Sequence, residues 1–553
     1  MTMLSLPRRC IAACLLGACF ITGMSVSASA QLLPERVEKA AQDRIAAGSY
    51  QTLVFGIVDG DRSEVVGFGK LDSGKPPDGD TLYEIGSITK TFTATLLAAA
   101  VLSGQVKLDT PVAELLPDFR IPSRNGREIT LGDLATQHSG LPRLPSNLLG
   151  RTPSNPYADY DAAKLKAFLA GYDLPRDPGS AYEYSNLGFG LLGYALARSS
   201  HATYDALAVK EILEPLGMSA TGTELPPAVT AHLAPGHDGA GRAAGSWDFD
   251  ALAGAGALRS TANDMLCYLK ANMGVDRSPL AAAMTLAQQP RSDVTKTLRI
   301  GLAWMTTGTG IVWHNGMTGG YASFIGFSPA RRRGVVILSN TALDTDDLGF
   351  AVLDANASLT PTYKAISLPD ASLDEYVGTY KLGENFLLNV FHMRAGLFAR
   401  ATGQVAFPIF PSAPNEFFAK IAGIGISFTR DAGGLVTGLV LHQNGNRTAP
   451  KLSAAELPRA TEGSAVDAGA LGDYVGQYRF DFGILDIALD RDHLEAQLTG
   501  QPPFPIFASA RDKFFYKVVD ARLDFERDAE GKISAVVLHQ NGRDLRAPRA
   551  SGP

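Results

Sequence analysis

Residues 83–102 read YEIGSITKTFTATLLAAAVL. From Thr91 to Leu102 this segment carries no charge, so we expect a helix that is buried on nearly every side. Ser87 stands at the start of that helix, and Lys90 shares its face three residues later. Burial favours the neutral form of a lysine, and a neutral amine can help to take the proton of a serine hydroxyl. The segment therefore indicates a serine nucleophile with its base, although a capping serine beside a snorkelling lysine has the same pattern.

A second segment, Tyr184-Ser185-Asn186, lies on a loop ahead of an apolar helix. A tyrosine close to a lysine ammonium has a stabilised phenolate, and it can act first as a general base and then as a general acid. The amide of Asn186 can hold either a substrate carbonyl or the head of the lysine. A loop tyrosine that packs on the domain is the alternative interpretation.

A third segment, VWHNGMTGGY at residues 312–321, ends a predicted strand, and its glycines let a ligand approach the backbone closely. The N–H group of Met317 is a candidate to form an oxyanion hole together with the N–H group of Ser87, which has the positive end of a helix dipole beside it. We expect His314 to face the cleft. A structural histidine at a strand end is the alternative.

The composition narrows the classes of function. With 45% hydrophobic and 19% charged residues, the chain has enough apolar material for real cores, and its 553 residues predict three or four domains. Its 50 basic and 56 acidic side chains give a net charge of −6. Such a balance offers no basic footprint for a phosphate backbone, so we expect no nucleic-acid partner.

Residues 31–365 are predicted to form one α+β domain, in which an antiparallel sheet is flanked by helices. A hairpin between residues 52 and 69 and apolar runs at 302–306, 310–313, 321–327 and 334–338 provide the strands, whereas residues 81–273 are rich in helix. We expect the last of these strands to pair with the hairpin.

The rest of the chain repeats itself over residues 366–458 and 466–553. Both copies contain Leu-x-x-Tyr-Val-Gly-x-Tyr, Phe-Pro-Ile-Phe and Leu-His-Gln-Asn-Gly, in that order. Each copy alternates apolar and polar residues in short runs between turn signals. The repeats therefore predict two small antiparallel β-barrels.

Residues 1–30 resemble a signal peptide, because Arg8 and Arg9 precede an apolar stretch and a small-residue cleavage site at residues 28–30. A lipoprotein box ending at Cys19 is the less favoured interpretation, since the chain stays apolar beyond it. No later segment is long and apolar enough to cross a membrane. We therefore expect a periplasmic or secreted protein, whose remaining Cys267 is a buried, inert thiol.

The three site segments, taken in order, resemble the serine β-lactamase and penicillin-binding-protein superfamily. The likeness is closer to its branch of class C β-lactamases, D,D-carboxypeptidases, D-aminopeptidases and family VIII esterases. Residues 129–142 and 256–264 resemble it too, and the likeness covers about residues 33–345. The two β units resemble the lipocalin-like barrels of three-domain D-aminopeptidases.

The resemblance implies that Ser87 is the acylated nucleophile and that Lys90 and Tyr184 share the proton transfers. It further implies that Asn186 orients the substrate amide and that the opposite wall is lined by His314, Asn315, Gly316 and Met317. It implies no metal and no organic cofactor. The substrates would be peptides containing D-amino acids or other small molecules, with β-lactams as substrates or inhibitors.

The sequence departs from this pattern at the third motif. Class C β-lactamases usually have Lys-Thr-Gly there, whereas this chain has His314-Asn315-Gly316, which replaces a permanent cation by an imidazole that can titrate. The change argues against efficient β-lactam turnover and is seen in D,D-peptidases and D-aminopeptidases of the family. A carboxylesterase and a non-catalytic muropeptide-binding protein are the alternatives. The barrels would cap the cleft or mediate dimerisation.

Overall fold

The computed structural model describes residues 31–550 except 149–154, 384–385, 394–395, 403–405, 420–423, 444–445, 454–455, 457–467, 481–482, 491–492, 499–503, 517–520 and 541–542. The leader predicted over residues 1–30, with the alternative lipidation site at Cys19, lies outside the described residues. Within the described part of the chain, no helix is long and apolar enough to span a membrane.

The first part of the chain is built on an antiparallel sheet with helices on both faces. Its strands are β1 Thr52–Asp59, β2 Arg62–Gly69, β3 Leu82–Glu84, β4 Ser123–Arg124, β5 Arg127–Glu128, β6 Arg259–Thr261, β7 Ser292–Thr295, β8 Leu298–Ile300, β9 Met305–Thr307, β10 Val312–Met317, β11 Ala322–Ser328 and β12 Arg333–Ser339. Eight of them form the main sheet in the order β2-β1-β12-β11-β10-β9-β8-β7, and β3–β6 and β4–β5 form separate ladders.

The helices of this part are α1 Glu35–Ala46, α2 Thr89–Leu102, α3 Val112–Leu115, α4 Leu131–Ala135, α5 Ala162–Gly171, α6 Asn186–Ser199, α7 Tyr204–Ala208, α8 Glu214–Leu216, α9 Pro227–Thr230, α10 Ala262–Met273, α11 Ala281–Gln288 and α12 Asp346–Leu353.

Strand β1 shows why helices cover both faces of the main sheet. Leu53, Phe55 and Ile57 pack in one core cluster with α1 and α12, whereas Val54 and Val58 pack in another with α2 and α10. The alternation follows the two-residue period of a strand, so β1 is apolar throughout.

Helix α2 is the uncharged helix that the sequence predicts. It is buried from Thr89 to Ala98. The ring of Phe92 stacks on Tyr268 of α10 with centroids 3.9 Å apart. Threonines inside the helix satisfy their hydroxyls locally, since Thr91 donates to the carbonyl of Ile88 at 2.8 Å. The helix can therefore be buried without leaving these polar groups unpaired.

The strand prediction is partly corrected. Strand β12 pairs with β1, as expected, with Val54 opposite Leu338. The run at 302–306, however, is mostly not a strand: Ala303 has a positive φ of 62° and lies in a turn, and only the residues from Met305 onward join the sheet. Burial of Trp304 explains why this turn is apolar. Strands β7 and β8, which precede it, were not anticipated.

Residues beyond 369 form a short helix, α13 Asp370–Leu373, and two eight-stranded antiparallel sheets. Neighbours in sequence pair throughout each sheet, and single bridges, Tyr380 to Lys451 and Tyr478 to Arg549, bring the last residues back to the first strand. The prediction of an α+β domain followed by two small antiparallel β-barrels is confirmed. The strands are β13 Gly378–Lys381, β14 Leu387–Met393, β15 Gly396–Ala401, β16 Phe407–Ala413, β17 Glu416–Ala419, β18 Ile424–Arg430, β19 Val436–His442, β20 Asn446–Pro450, β21 Gly476–Phe480, β22 Gly483–Asp490, β23 His493–Leu498, β24 Phe504–Ala510, β25 Lys513–Tyr516, β26 Ala521–Arg527, β27 Ile533–Gln540 and β28 Arg543–Pro548.

The repeated tyrosines have the same role in both barrels. The hydroxyl of Tyr380 donates to the carbonyl of Tyr376 at 2.7 Å, and that of Tyr478 donates to the carbonyl of Tyr474 at 2.8 Å. All four rings are buried in the barrel cores. The Leu-x-x-Tyr-Val-Gly-x-Tyr motif is thus a core element that satisfies its own hydroxyl.

The prediction for Cys267 is wrong. The thiol is exposed on α10, because the buried face of that helix is formed by Met265, Leu266 and Leu269, and Cys267 lies off that face. Burial of part of the side chain still raises the pKa of the thiol, and Asp264 adds to the effect. The thiol therefore stays protonated, as the sequence suggested for an inert cysteine.

Candidate active site

Ser87 and Lys90 meet where a 3-10 turn, Gly86–Ile88, leads into α2. The lysine side chain is fully buried, and its Nζ lies 2.9 Å from Oγ of Ser87. Nζ also donates to Oδ1 of Asn186 at 2.8 Å and to the carbonyl of Ala255 at 2.6 Å. Burial, with a smaller contribution from Arg143, lowers the pKa of Lys90 well below its usual value. The amine is therefore fixed against Ser87 and favours its neutral form.

Tyr184 comes to Ser87 from a distant loop. Its hydroxyl donates to Oγ of Ser87 at 2.8 Å, and Nζ of Lys90 lies 5.0 Å from the centre of its ring. The structure differs here from the sequence-based expectation of a stabilised phenolate. Burial raises the pKa of Tyr184, and a lysine neutralised by the same burial cannot offset it. The tyrosine is thus a phenol that can donate a proton.

Asn186 begins α6, which Ser185 caps by accepting the N–H of Gly188 at 2.8 Å. Of the two roles that the sequence allowed for its amide, the structure shows contact with the lysine head. The amide nitrogen donates to the hydroxyl of Tyr157 at 3.3 Å. The ring of Tyr157 stacks in turn on Phe249, with centroids 4.4 Å apart.

The opposite wall is the end of β10, which packs directly on the turn that carries Ser87. A Cβ on Gly316 would stand 2.1 Å from the carbonyl oxygen of Ile85, and one on Gly86, whose φ is +48°, would stand 2.8 Å from the nitrogen of Met317. Both positions therefore require glycine. Across the hairpin between β10 and β11, the N–H of Thr318 donates to the carbonyl of Tyr321. In an antiparallel pair the N–H groups of successive residues point alternately to the partner strand and away from it. The N–H of Met317, which lies opposite Ala322, therefore points away from β11 and towards Gly86.

His314 and Asn315 are held by contacts within the protein. The imidazole is only 3% exposed, and its burial lowers the pKa of His314 to about 4. It is therefore neutral near pH 7, whereas the sequence suggested a group that titrates there. Its Nδ1 lies 2.6 Å from the carbonyl oxygen of Asn315. The Asn315 amide donates to Oδ2 of Asp346 at the start of α12, at 2.8 Å.

Sequence reasoning missed several residues of the site. Arg143 places its Cζ 5.0 Å from the centre of the Tyr184 ring, and it directly follows the segment 129–142 that resembles the superfamily. Asp346, Tyr157 and the carbonyl of Ala255 hold the groups that the sequence identified, and no local pattern marks them. Within the described residues, no group of three or more His, Cys, Asp or Glu side chains is placed to hold a metal ion.

Comparisons with known proteins place this chain among relatives of known sequence and structure. A family model described as Beta-lactamase matches residues 37–356, and one described as a domain of unknown function, DUF3471, matches residues 362–457 and again 460–548. The D-alanyl-D-alanine-carboxypeptidase/endopeptidase AmpH of Escherichia coli K12 is 30% identical over 318 residues, which are 54% of this chain and 81% of AmpH. A β-lactamase of Pseudomonas fluorescens is 25% identical over 353 residues, 56% of this chain and 93% of that protein.

A solved structure of a class C β-lactamase has the same fold. It superposes with a TM-score of 0.51 at 21% identity, and the match covers 59% of this chain and 97% of that one. Because the family model spans more than half of its residues and AmpH is matched over most of its length, the chain belongs to the Beta-lactamase family of serine hydrolases.

Proposed function

We propose that this protein is an exported serine hydrolase that forms an acyl-enzyme on Ser87 and cleaves amide bonds in peptides containing D-amino acids, with β-lactams as substrates or inhibitors. One observation carries the proposal: Oγ of Ser87 lies 2.9 Å from Nζ of Lys90 and 2.8 Å from the hydroxyl of Tyr184. A serine between an amine with a lowered pKa and a protonated phenol has both a base and an acid within reach.

We assign Lys90 the role of base, and its contacts support this. A neutral amine has two N–H donors and one lone pair, and Asn186 Oδ1 and the Ala255 carbonyl take the two donors. The lone pair then faces Ser87. Ser87 gives its proton to this amine as Oγ attacks the carbonyl carbon of the substrate.

The negative charge that develops on the substrate oxygen is held by the backbone N–H groups of Ser87 and Met317. The C–N bond then breaks, and the departing amine takes a proton from the phenol of Tyr184. The proton held by Lys90 restores the phenol. Water attacks the resulting ester by the reverse sequence and releases the acyl group from Ser87.

The substrate class is supported by AmpH, which is named as a D-alanyl-D-alanine carboxypeptidase and endopeptidase. A carboxylesterase is the second candidate, and the neutral His314 favours it, since this wall supplies no positive charge for a substrate carboxylate. Turnover of short aryl esters compared with D-alanyl-D-alanine peptides separates the two. A preference for the esters by kcat/KM would replace the peptidase by the esterase.

Acylation itself is tested with a fluorescent penicillin, a thioester and an aryl ester, followed by intact mass. We expect one adduct, which disappears in Ser87→Ala. Ser103→Ala, an exposed serine at the other end of α2, is the matched control and should be labelled normally. If none of the three reagents leaves an adduct on the wild-type protein, the proposal fails.

Export rests on the sequence of residues 1–30. Expression of the full chain in a bacterial host, followed by fractionation and N-terminal sequencing, should give a periplasmic or secreted protein that begins at Gln31. Lipid attached to Cys19 would instead support the lipoprotein alternative. Retention of residues 1–30 in the cytoplasm would contradict export.

A further inference from the structure

Arg143 is a charged group beside the site that the proposed chemistry does not use. Its side chain is exposed, with Cζ 5.0 Å from the centre of the Tyr184 ring. Its charge helps to lower the pKa of Lys90 and opposes the rise that burial causes in the pKa of Tyr157. Among the described residues no carboxylate forms an ion pair with it, whereas most other arginines on this domain have one.

The backbone of Arg143 is fixed to the site. Its carbonyl accepts the N–H of Asn186 at 3.0 Å and that of Leu187 at 3.3 Å, the first two residues of α6. The neighbouring carbonyl of Pro142 accepts the hydroxyl of Ser185 at 2.6 Å. The guanidinium therefore extends from a backbone that is tied to the same helix start as Asn186.

The other basic groups near Ser87 supply no accessible positive charge. Lys90 is buried and directs its N–H groups to protein oxygens. His314 is buried and neutral near pH 7. Arg259 pairs with Asp248 at 2.7 Å. Within the described part of the cleft, the permanent and accessible cation is thus Arg143.

We propose that Arg143 determines specificity by binding a carboxylate of the substrate beside Tyr184. This inference rests on the proposed function and names the anionic group that the site selects. A guanidinium presents two parallel N–H donors that match a carboxylate, and it stays charged at every working pH. The cation that the third motif lacks is in this way supplied from the loop after α4.

Paired substrates test the proposal. A D-alanyl-D-alanine peptide with a side-chain carboxylate is compared with its C-terminal amide and with its side-chain amide, in the wild type, Arg143→Gln and Arg143→Lys. Loss of a charge-assisted hydrogen bond should raise KM for the peptide about 10- to 100-fold in Arg143→Gln, with kcat little changed. The amide that lacks the recognised carboxylate should show no such loss, which identifies the group that is bound. Arg143→Lys should lose less.

Arg198→Gln is the matched control. Arg198 is an exposed arginine whose Cζ lies 5.9 Å from the ring centre of Tyr194, away from Ser87. It should leave every KM unchanged. Equal losses on charged and amidated substrates in Arg143→Gln would overturn the proposal, since Arg143 would then act through Tyr184. An unchanged preference for the carboxylate would overturn it as well.

Binding to an acylation-dead protein keeps this test separate from the proposed function. In the Ser87→Ala background, calorimetry should show that Arg143→Gln weakens binding of the carboxylate peptide about 10- to 100-fold but not that of the amide. If the wild type cleaves no substrate while this difference is present, only the hydrolase proposal fails. If it cleaves the peptide while the difference is absent, only the role of Arg143 fails.

Discussion

Replacing Gly316 by alanine should disable the site without altering any group that reacts. A Cβ at this position would stand 2.1 Å from the carbonyl oxygen of Ile85 and 2.5 Å from Oγ of Ser323. Carbon and oxygen atoms in close contact normally lie about 3.3 Å apart, so β10 and the turn before α2 must separate by about 1 Å.

The carbonyl oxygen of Ile85 is held in place by hydrogen bonds. The carbonyl of Ile85 accepts hydrogen bonds from the N–H of Ile88 at 3.2 Å and from Oγ of Ser323 at 2.8 Å. The N–H of Ile85 donates to the carbonyl of Leu258. The strand must therefore shift, which moves the N–H of Met317 away from Ser87. A misplacement of about 1 Å costs about 100-fold in rate, and the overpacking costs about 1–3 kcal/mol of stability.

The assay is single-turnover acylation by an activated ester, with thermal melting to show that the variant is folded. Gly308→Ala is the matched control in the turn between β9 and β10, where the nearest atom to an added Cβ lies at 3.7 Å. We expect this control to react at the wild-type rate. Wild-type acylation by a folded Gly316→Ala protein would refute the close approach of β10 to Ser87 as a requirement for catalysis.

Three further predictions follow from the protonation states and contacts of the site. Tyr184→Phe keeps the ring beside Arg143 but removes the general acid, so kcat for peptides should fall about 10²- to 10⁴-fold. The kcat for an aryl ester, whose leaving group needs no proton, should fall far less. Equal losses on both substrates would contradict the assignment of Tyr184 as the acid. The pKa of His314 is about 4 in the folded protein and ~6.5 in the unfolded chain. Between these two pH values the unfolded state therefore binds more protons than the folded state. The free energy of unfolding should rise with pH through this window, by up to about 3 kcal/mol. Chemical denaturation at pH 7 and pH 4.5 should show this contribution in the wild type and not in His314→Asn, and an equal pH dependence in both proteins would argue against a buried neutral imidazole. Asp346→Ala leaves the amide of Asn315 unpaired and should cost about 1–3 kcal/mol in denaturant unfolding, whereas Asp346→Asn keeps an acceptor and should cost little; equal losses in both variants would assign the effect to charge instead.

Much of the site could be predicted from spacing and composition. An uncharged segment can form a helix only where other elements cover it, so the burial of α2 and the placement of Ser87 and Lys90 followed from local sequence. The approach of Tyr184, 97 residues away, depended on the likeness to a known superfamily. No local rule fixes which distant loop packs on a helix start.

The protonation states could not be predicted, because they depend on burial. A tyrosine beside a lysine suggests a phenolate, yet both groups are removed from water, and desolvation raises the pKa of Tyr184 and lowers that of Lys90. His314 is neutral for the same reason. Arg143 was missed because a charge on a loop is normally solvated, and only its position over Tyr184 distinguishes it.

In the two barrels, core residues are repeated but several surface residues are not. Their cores repeat the contact between Tyr380 and Tyr376 as that between Tyr478 and Tyr474, and this shared interior accounts for the shared fold.

On the outside the matching positions differ. In the first barrel Ser427 contacts the carboxylate of Glu416 at 2.6 Å and Nε2 of His442 at 2.7 Å. In the second, Asp524 lies 3.5 Å from both Lys513 and His539. Glu416 of the first barrel thus matches a basic residue, Lys513, in the second, and the hydroxyl of Ser427 matches the carboxylate of Asp524, so the pattern of charge on the two surfaces differs. What the barrels share is therefore their architecture and their buried tyrosine contacts, whereas the charged groups at these outer positions are not shared.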